Sequence, residues 1–234
     1  MKRAIHLGII LGIILSGLVF MNGITEAGGT RWHVILTRGQ DTVAVDTETI
    51  EYNKDANTLS YWTQTRSLTR AGTYMETRDF YVLNFKDRTT TLKRVLTYIG
   101  DSIEDTEGKG RDVISPVLPD SIENSVVEYA HRTMNTPKVF PTPVGQWKWV
   151  LSTDKYTCTI SPDAFVDDSG YYNVYIRKSY LSGLQNYDLY RFDFSHDRII
   201  EKDFLGNVSY KDIIPESIDE KIYKAAYELY IKKQ

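Results

Sequence analysis

The chain has 234 residues, enough for one large domain or two of about a hundred. Apolar residues make up 41% and charged residues 25%, a balance that supports a packed core and excludes wholesale disorder. The formal net charge of −3 lacks the basic surplus of a nucleic-acid binder, so no nucleic-acid partner is expected.

The first residues read as a targeting segment. Lys2 and Arg3 precede a 14-residue apolar run from Leu7 to Phe20. Asn22 and Gly23 break the run, and Thr25-Glu26-Ala27 places small residues at −3 and −1 of a cut after Ala27. This is the three-part pattern of a signal peptide over 1–27. An uncleaved anchor is the alternative, but the run falls short of the roughly 20 apolar residues that a span needs. No cysteine stands directly after the run, which argues against a lipid-anchored form.

Beyond it the chain repeats itself. WHVILTRGQDTVAVDTETI from Trp32 lies against WKWVLSTDKYTCTISPDAF from Trp147 without a gap, at an offset of 115 (147 − 32). Tyr81 and Phe85 of YVLNFKDR match Tyr190 and Phe194 of YRFDFSHD. Tyr98 and Gly100 match Phe204 and Gly206, and Pro119 matches Pro215. Order is kept while the offset shrinks, as a tandem duplication with loop deletions requires. Repeat 1 spans 30–133 and repeat 2 spans 147–234. Between them 134–146, with Pro137, Pro141 and Pro143, reads as an extended, semi-rigid connector.

In the first repeat, 31–37, 42–46, 58–66, 74–85 and 90–99 alternate or are β-branched and aromatic, and predict strands. NKDAN at 53–57 and KDR at 86–88 predict turns, as do DDSG at 167–170 and SHD at 195–197 in the second. Asp46 and Ser161 can each cap a single helical turn. A Trp near the start of each repeat is expected to anchor its core. Each repeat then closes in a helix. Ser217 with Glu220 forms a capping box ahead of a stripe of Ile218, Ile222, Ala225, Ala226 and Leu229. Asp120 with Glu123 is expected to cap the earlier helix, striped by Ile122, Val126, Tyr129 and Ala130. The fold class is α+β: two tandem repeats, each an antiparallel sheet of about five strands followed by one C-terminal helix.

These features resemble the surface-adhesin protein E family of bacterial exported proteins. The resemblance rests on the Trp that opens the first strand, VAVDTETI, the long strand TLSYWTQT, the Tyr-Ile-Gly strand, and Pro119-Asp120-Ser121 leading into a helix. TISPDAF, FLGN and Pro215-Glu216-Ser217 carry it through the second repeat. Family members often hold a cysteine pair and a single copy; this chain has Cys158 alone and two copies. The resemblance implies an exported antiparallel sheet with a flanking helix, which in adhesin members binds host extracellular-matrix proteins.

Catalytic chemistry is not visible. His33, His131 and His196 pair with neither each other nor Cys158 at a metal-ligand spacing. Cys158, in the alternating stretch YTCTI, reads as a buried structural thiol. GDSIEDTEGKGRD lacks both phosphate-loop and EF-hand spacing and reads as a solvated loop. No catalytic, cofactor-binding or metal-binding residue is therefore assigned, and no cofactor is expected. The expected function is a non-enzymatic exported protein with a protein partner, either a host matrix protein or an envelope component. A periplasmic accessory or structural protein is the alternative reading, and a hydrolase with a dispersed site ranks last. The related repeats are expected to pack as a pseudo-dimer through like surfaces. The ten surplus residues of the first repeat, within 101–118, are expected to be a loop that contributes to a partner surface.

Export has a direct test. N-terminal sequencing of the exported protein is expected to begin near Gly28; recovery of the full chain only in membranes would favour the anchor.

Overall fold

The structure, a computed structural model, describes residues 31–38, 41–68, 72, 74–99, 102–105, 112–202 and 207–233. The targeting segment expected at 1–27 lies outside these residues. So do Gly100, most of the acidic stretch beyond Asp105, and the Phe204 and Gly206 of the second glycine motif.

The first half forms β1 (Trp32–Arg38), β2 (Asp41–Asp46), β3 (Glu51–Asn53), β4 (Thr58–Leu68), β5 (Tyr74–Asn84), β6 (Thr89–Ile99), β7 (Ser102–Asp105), β8 (Val113–Pro116) and α1 (Ile122–Met134). A 3-10 turn at Val144–Gln146 leads into the second half. It forms β9 (Lys148–Ser152), β10 (Tyr156–Ile160), β11 (Phe165–Val166), β12 (Tyr172–Tyr180), β13 (Gln185–Asp193), β14 (Arg198–Lys202), β15 (Val208–Asp212) and α2 (Ile218–Ile231). The first sheet runs β1-β2-β4-β5-β6-β7, with β3 on β4 and β8 on β6; the second runs β9-β10-β12-β13-β14-β15, with β11 on β12. All pairings are antiparallel.

The two sheets follow one plan. Val45 pairs with Thr63, and its counterpart Ile160 pairs with Ile176. The register of β1 on β2 slips between Val34 and Leu36, and that of β9 on β10 slips at the matching place, across Val150. A β-bulge at the same position in both sheets is hard to reach by independent routes. The long hairpin turns agree as well: Arg88 and Asp197 both hold a left-handed backbone with φ of 52°.

Each sheet is larger than the five or so strands expected. The additions are the short β3 and β11 and the edge strands β7, β8 and β15. Every residue of β15 is exposed and β7 is nearly so. An edge strand that buries little gives no alternating apolar signal to read. The surplus of the first half is accordingly not a loop alone: β7 pairs with the far part of β6 and β8 with the near part.

Local chemistry sets the helix starts. Ser217 Oγ accepts from the Glu220 amide at 3.1 Å, and Glu220 reaches back to the Glu216 amide at 2.8 Å. In α1 the cap is Ser121, which accepts from the Asn124 amide at 3.1 Å, and not Asp120 as expected. The shift by one residue brings it into register with Ser217 (217 − 121 = 96), the same offset as the two prolines. Asp46 and Ser161 accept from the amides of Glu48 and Asp163, each two residues on. They close side-chain turns rather than open helical ones.

Two clusters of buried residues result. In the first, Val126, Val127 and Ala130 of α1 join Val45, Leu59, Tyr61 and Leu83. In the second, Ile222, Ala226 and Leu229 of α2 join Ile160, Val174, Ile176 and Phe192. The second is a helix stripe on one face of a sheet; the first begins as one and continues through Val139 and Phe140 to Trp147 and Tyr175. The tryptophans expected to anchor these cores do not: Trp147 belongs to the first cluster, on the side of the second sheet facing away from α2.

That side is covered by the connector and by one end of the first half. Val139 and Phe140 are buried, with the Phe140 ring 4.8 Å from that of Tyr175. Thr142 donates from its amide and hydroxyl to Asp163 at 2.8 and 2.7 Å. Arg88 donates to the Asp163 carbonyl at 2.5 Å, Lys86 pairs with Asp168, and the Asp168 amide donates to Asp87 at 3.1 Å. The proline segment is thus a packed seam, and Tyr172–Ile176 is buried on both faces of the sheet. Truncating its main anchor tests this. Phe140→Ala is expected to cost about 3 kcal/mol in denaturant unfolding, the usual range for a buried Phe. Leu181→Ala, at an 86%-exposed position, should stay within about 0.5 kcal/mol.

Candidate functional site

Successive strand residues point to opposite faces. In β4, Leu59, Tyr61 and Thr63 face α1, so Trp62, Gln64 and Arg66 face away from it. In β5, Tyr81 and Leu83 face α1, so Glu76, Arg78 and Phe80 face away. Trp62 stands opposite Phe80, and Phe80 opposite Arg94. The Trp62 and Phe80 rings lie 5.2 Å apart at 31°. Arg78 is held between two aromatic rings, 5.5 Å from Trp32 and 4.7 Å from Tyr98, a cation–π arrangement.

Carboxylates tie the cations down. Arg66 and Arg78 each donate through Nε to Glu76, at 3.0 and 2.7 Å. Burial pushes the Glu76 carboxyl up, but hydrogen bonds from flanking groups, Arg78 and Arg66 among them, outweigh it and hold it below its ordinary value. Arg94 pairs with Asp105 of β7 at 2.6 Å. Ile103 of β7 stands opposite Tyr98 and is 64% exposed; Val34 at the other edge is 54% exposed. The surplus segment of the first half therefore feeds this face.

The corresponding face of the second sheet is the one the first half covers. Trp62 corresponds to Tyr175, since each precedes the partner of Val45 or Ile160. Phe80 corresponds to Leu189 across the ladder, Arg78 to Tyr187 and Trp32 to Trp147. Trp147 meets Tyr187 edge-on at 5.9 Å, as Trp32 meets Arg78. Tyr175 is fully buried and Trp147 is 6% exposed, while Trp32 and Trp62 are half-buried; Leu189 and Tyr187 are half-buried like Phe80 and Arg78.

The other candidates stand elsewhere. His33 is exposed and stacks on Tyr129 at 4.6 Å, and His131 Nδ1 lies 2.5 Å from the Thr136 carbonyl at the end of α1. His196 meets Asp193 at 2.7 Å and Ser195 at 2.9 Å, but through the same Nδ1. A relay needs the orienting carboxylate and the nucleophile on different ring nitrogens, so this trio is a turn network. Cys158 is buried, and burial pushes its thiol up to about 11, which suppresses the reactive thiolate. Among the described residues no group of three or more His, Cys, Asp or Glu is arranged to hold a metal. An open polar cleft of about 370 Å³ lies where β14 splays from β13, lined by Asp188, Tyr190, Glu201, Lys211 and Asp219. Its Asp219 is already paired with Lys211 at 2.7 Å.

No family model matches the chain, and no curated protein does. Among the described residues, no helix is long and apolar enough to cross a membrane.

The aromatic face was not identified from sequence, although its signal is present. Tyr61-Trp62 and Phe80-Tyr81 are aromatic doublets within strands. In a sheet with one buried face, a doublet places one ring in the core and the other outside it. Asp79, next to one doublet, points to the α1 side, and burial pushes its carboxyl up to about 6. A folded-state value above the ordinary 3.8 means that the native state binds the proton more tightly. Stability is therefore lost as pH rises from about 4 to 6 and stays at the lower level above. Asp79→Asn is expected to add about 1–2 kcal/mol at pH 7 and almost nothing at pH 4, read from urea unfolding at both pH values.

Proposed function

We propose that the chain is an exported, non-enzymatic protein-binding module made of two copies of one α+β unit, each a sheet followed by its helix. The outer face of the first sheet is its binding surface. One observation carries this reading: Trp32 and Trp62 remain half-exposed beside Arg78 in the first unit, while their counterparts in the second, Trp147 and Tyr175, are buried under the connector and the first unit. Trp, Tyr and Arg are the residue types that dominate protein interfaces, because they combine large contact area with directed polar groups. The likeness to adhesin E proteins supports export, with host extracellular-matrix proteins as the partner class. An envelope component is the second partner class, and protease treatment of intact cells separates the two, since it removes a surface protein and spares a periplasmic one.

Trp62→Ala and Arg78→Ala are each expected to weaken binding to an immobilised extracellular-matrix preparation about tenfold or more, the loss of a central interface residue. Leu181→Ala, on the second unit, should change it less than about twofold. Undiminished binding by both face variants would overturn this assignment.

A further inference from the structure

The two units meet through unlike surfaces. From the first unit come the turn Lys86-Asp87-Arg88, the start of α1 at Asp120, and the connector; from the second come Asp163, Phe165, Asp168, Tyr175 and Tyr187 on the outer side of its sheet. The end of the second unit does not return the contact. Ser195 and His196 are exposed, and Asp197 accepts from Tyr223 of its own helix. The like-with-like pseudo-dimer expected from the repeat is therefore replaced by a head-to-tail contact.

A head-to-tail contact between equivalent units leaves two complementary surfaces unused, one at each end. At one end is the Trp32, Trp62, Phe80 and Arg78 face. At the other is the end of the second unit, where Ile214 is 63% and Ile218 38% exposed. Resting on the reading of that face as a protein-binding surface, we propose that the same face also takes the distal end of a second copy of this chain, joined in the geometry the two units already use.

The residues fit this partner in charge and in polarity. Asp120 lies beside Tyr187 in the internal contact. Their counterparts are Glu216 and Arg78, an acid and a base, so the same geometry between chains places opposite charges together. Glu216 is exposed at the distal end, while on the face Arg66 and Arg78 share the single carboxylate of Glu76, leaving one cation in surplus there. Exposed Ile214 and Ile218 supply apolar groups for the tryptophans. Val139 and Phe140 serve the internal contact alone, so the contact between chains is the weaker of the two. Assembly is expected with a dissociation constant on the order of tens of micromolar, as suits a small interface.

Sedimentation velocity on the purified protein tests this. The wild type is expected to grow with concentration into a ladder of species. Trp62→Asp alone and Ile214→Asp alone should each remain monomeric. An equimolar mixture of the two should form a heterodimer and nothing larger, because each variant retains one good surface. Should Trp62→Asp not fold, Arg78→Glu replaces it, and Glu216→Arg in the same chain is expected to restore assembly. A wild type that stays monomeric to about 1 mM, or an Ile214→Asp variant that assembles normally, overturns the proposal. If the wild type stays monomeric while Trp62→Ala still loses matrix binding, only self-assembly falls and the binding face stands. If neither effect appears, both readings fall.

Discussion

The guanidinium of Arg88 lies 4.5 Å from the centre of the Phe165 ring and 5.9 Å from that of Tyr175. The second half of the protein depends on that contact. An antiparallel sheet ordinarily keeps one face in water. Here Trp147 and Tyr175 would be left in solvent without the connector and the first unit, and each gains roughly 1.5–3 kcal/mol from burial. Arg88 reaches its place from a left-handed backbone, which costs an ordinary L-residue roughly 1–2 kcal/mol. The cation is thus held at the price of local strain, and the apolar surface buried around it outweighs that strain.

The equivalent residue in the second unit is Asp197, with the same backbone and the opposite charge. Its oxygen serves a tyrosine of α2 rather than a neighbouring sheet. Nearby, Lys86 and Asp87 have become Ser195 and His196. One turn geometry therefore carries two chemistries: a charged plug in the first unit, and a self-satisfied cap in the second. The scaffold tolerates both because the left-handed turn positions the side chain without specifying it.

Much of the fold was legible. The long strands, the turns at 53–57 and 167–170 and both helices follow from period, turn residues and capping oxygens, all of which are local. The misses share a different origin. Period two says which residues share a face of a strand; it does not say which face the helix will cover. The strand pattern therefore points Trp32 and Trp147 into the helix-covered cores, whereas they stand on the opposite sides. Phe140 was hidden among prolines, where composition suggested a spacer. The edge strands β7 and β15 bury too little to imprint a pattern. The aromatic face was legible only in part, through the doublets Tyr61-Trp62 and Phe80-Tyr81. Its meaning required knowing that the second unit covers the same surface.

That comparison also explains why the first face can rest in water at all. Bare aromatic sheet faces invite unspecific association. Here Arg66, Glu76 and Arg78 form a chain of ion pairs across β4 and β5, and Arg94 with Asp105 extends it to the edge. Each pair is at least partly solvated, so each contributes little to stability on its own. Their effect is on the alternatives. A partner that covers the tryptophans must also satisfy these cations, or leave them desolvated at a cost of several kcal/mol. A purely apolar surface fails that requirement, and a surface that pairs apolar side chains with acids meets it. The second sheet satisfies its own charges in this way, with Lys86 against Asp168 and Thr142 against Asp163. On the proposed reading, the charges on the first face would filter what docks and the aromatic rings would supply the affinity.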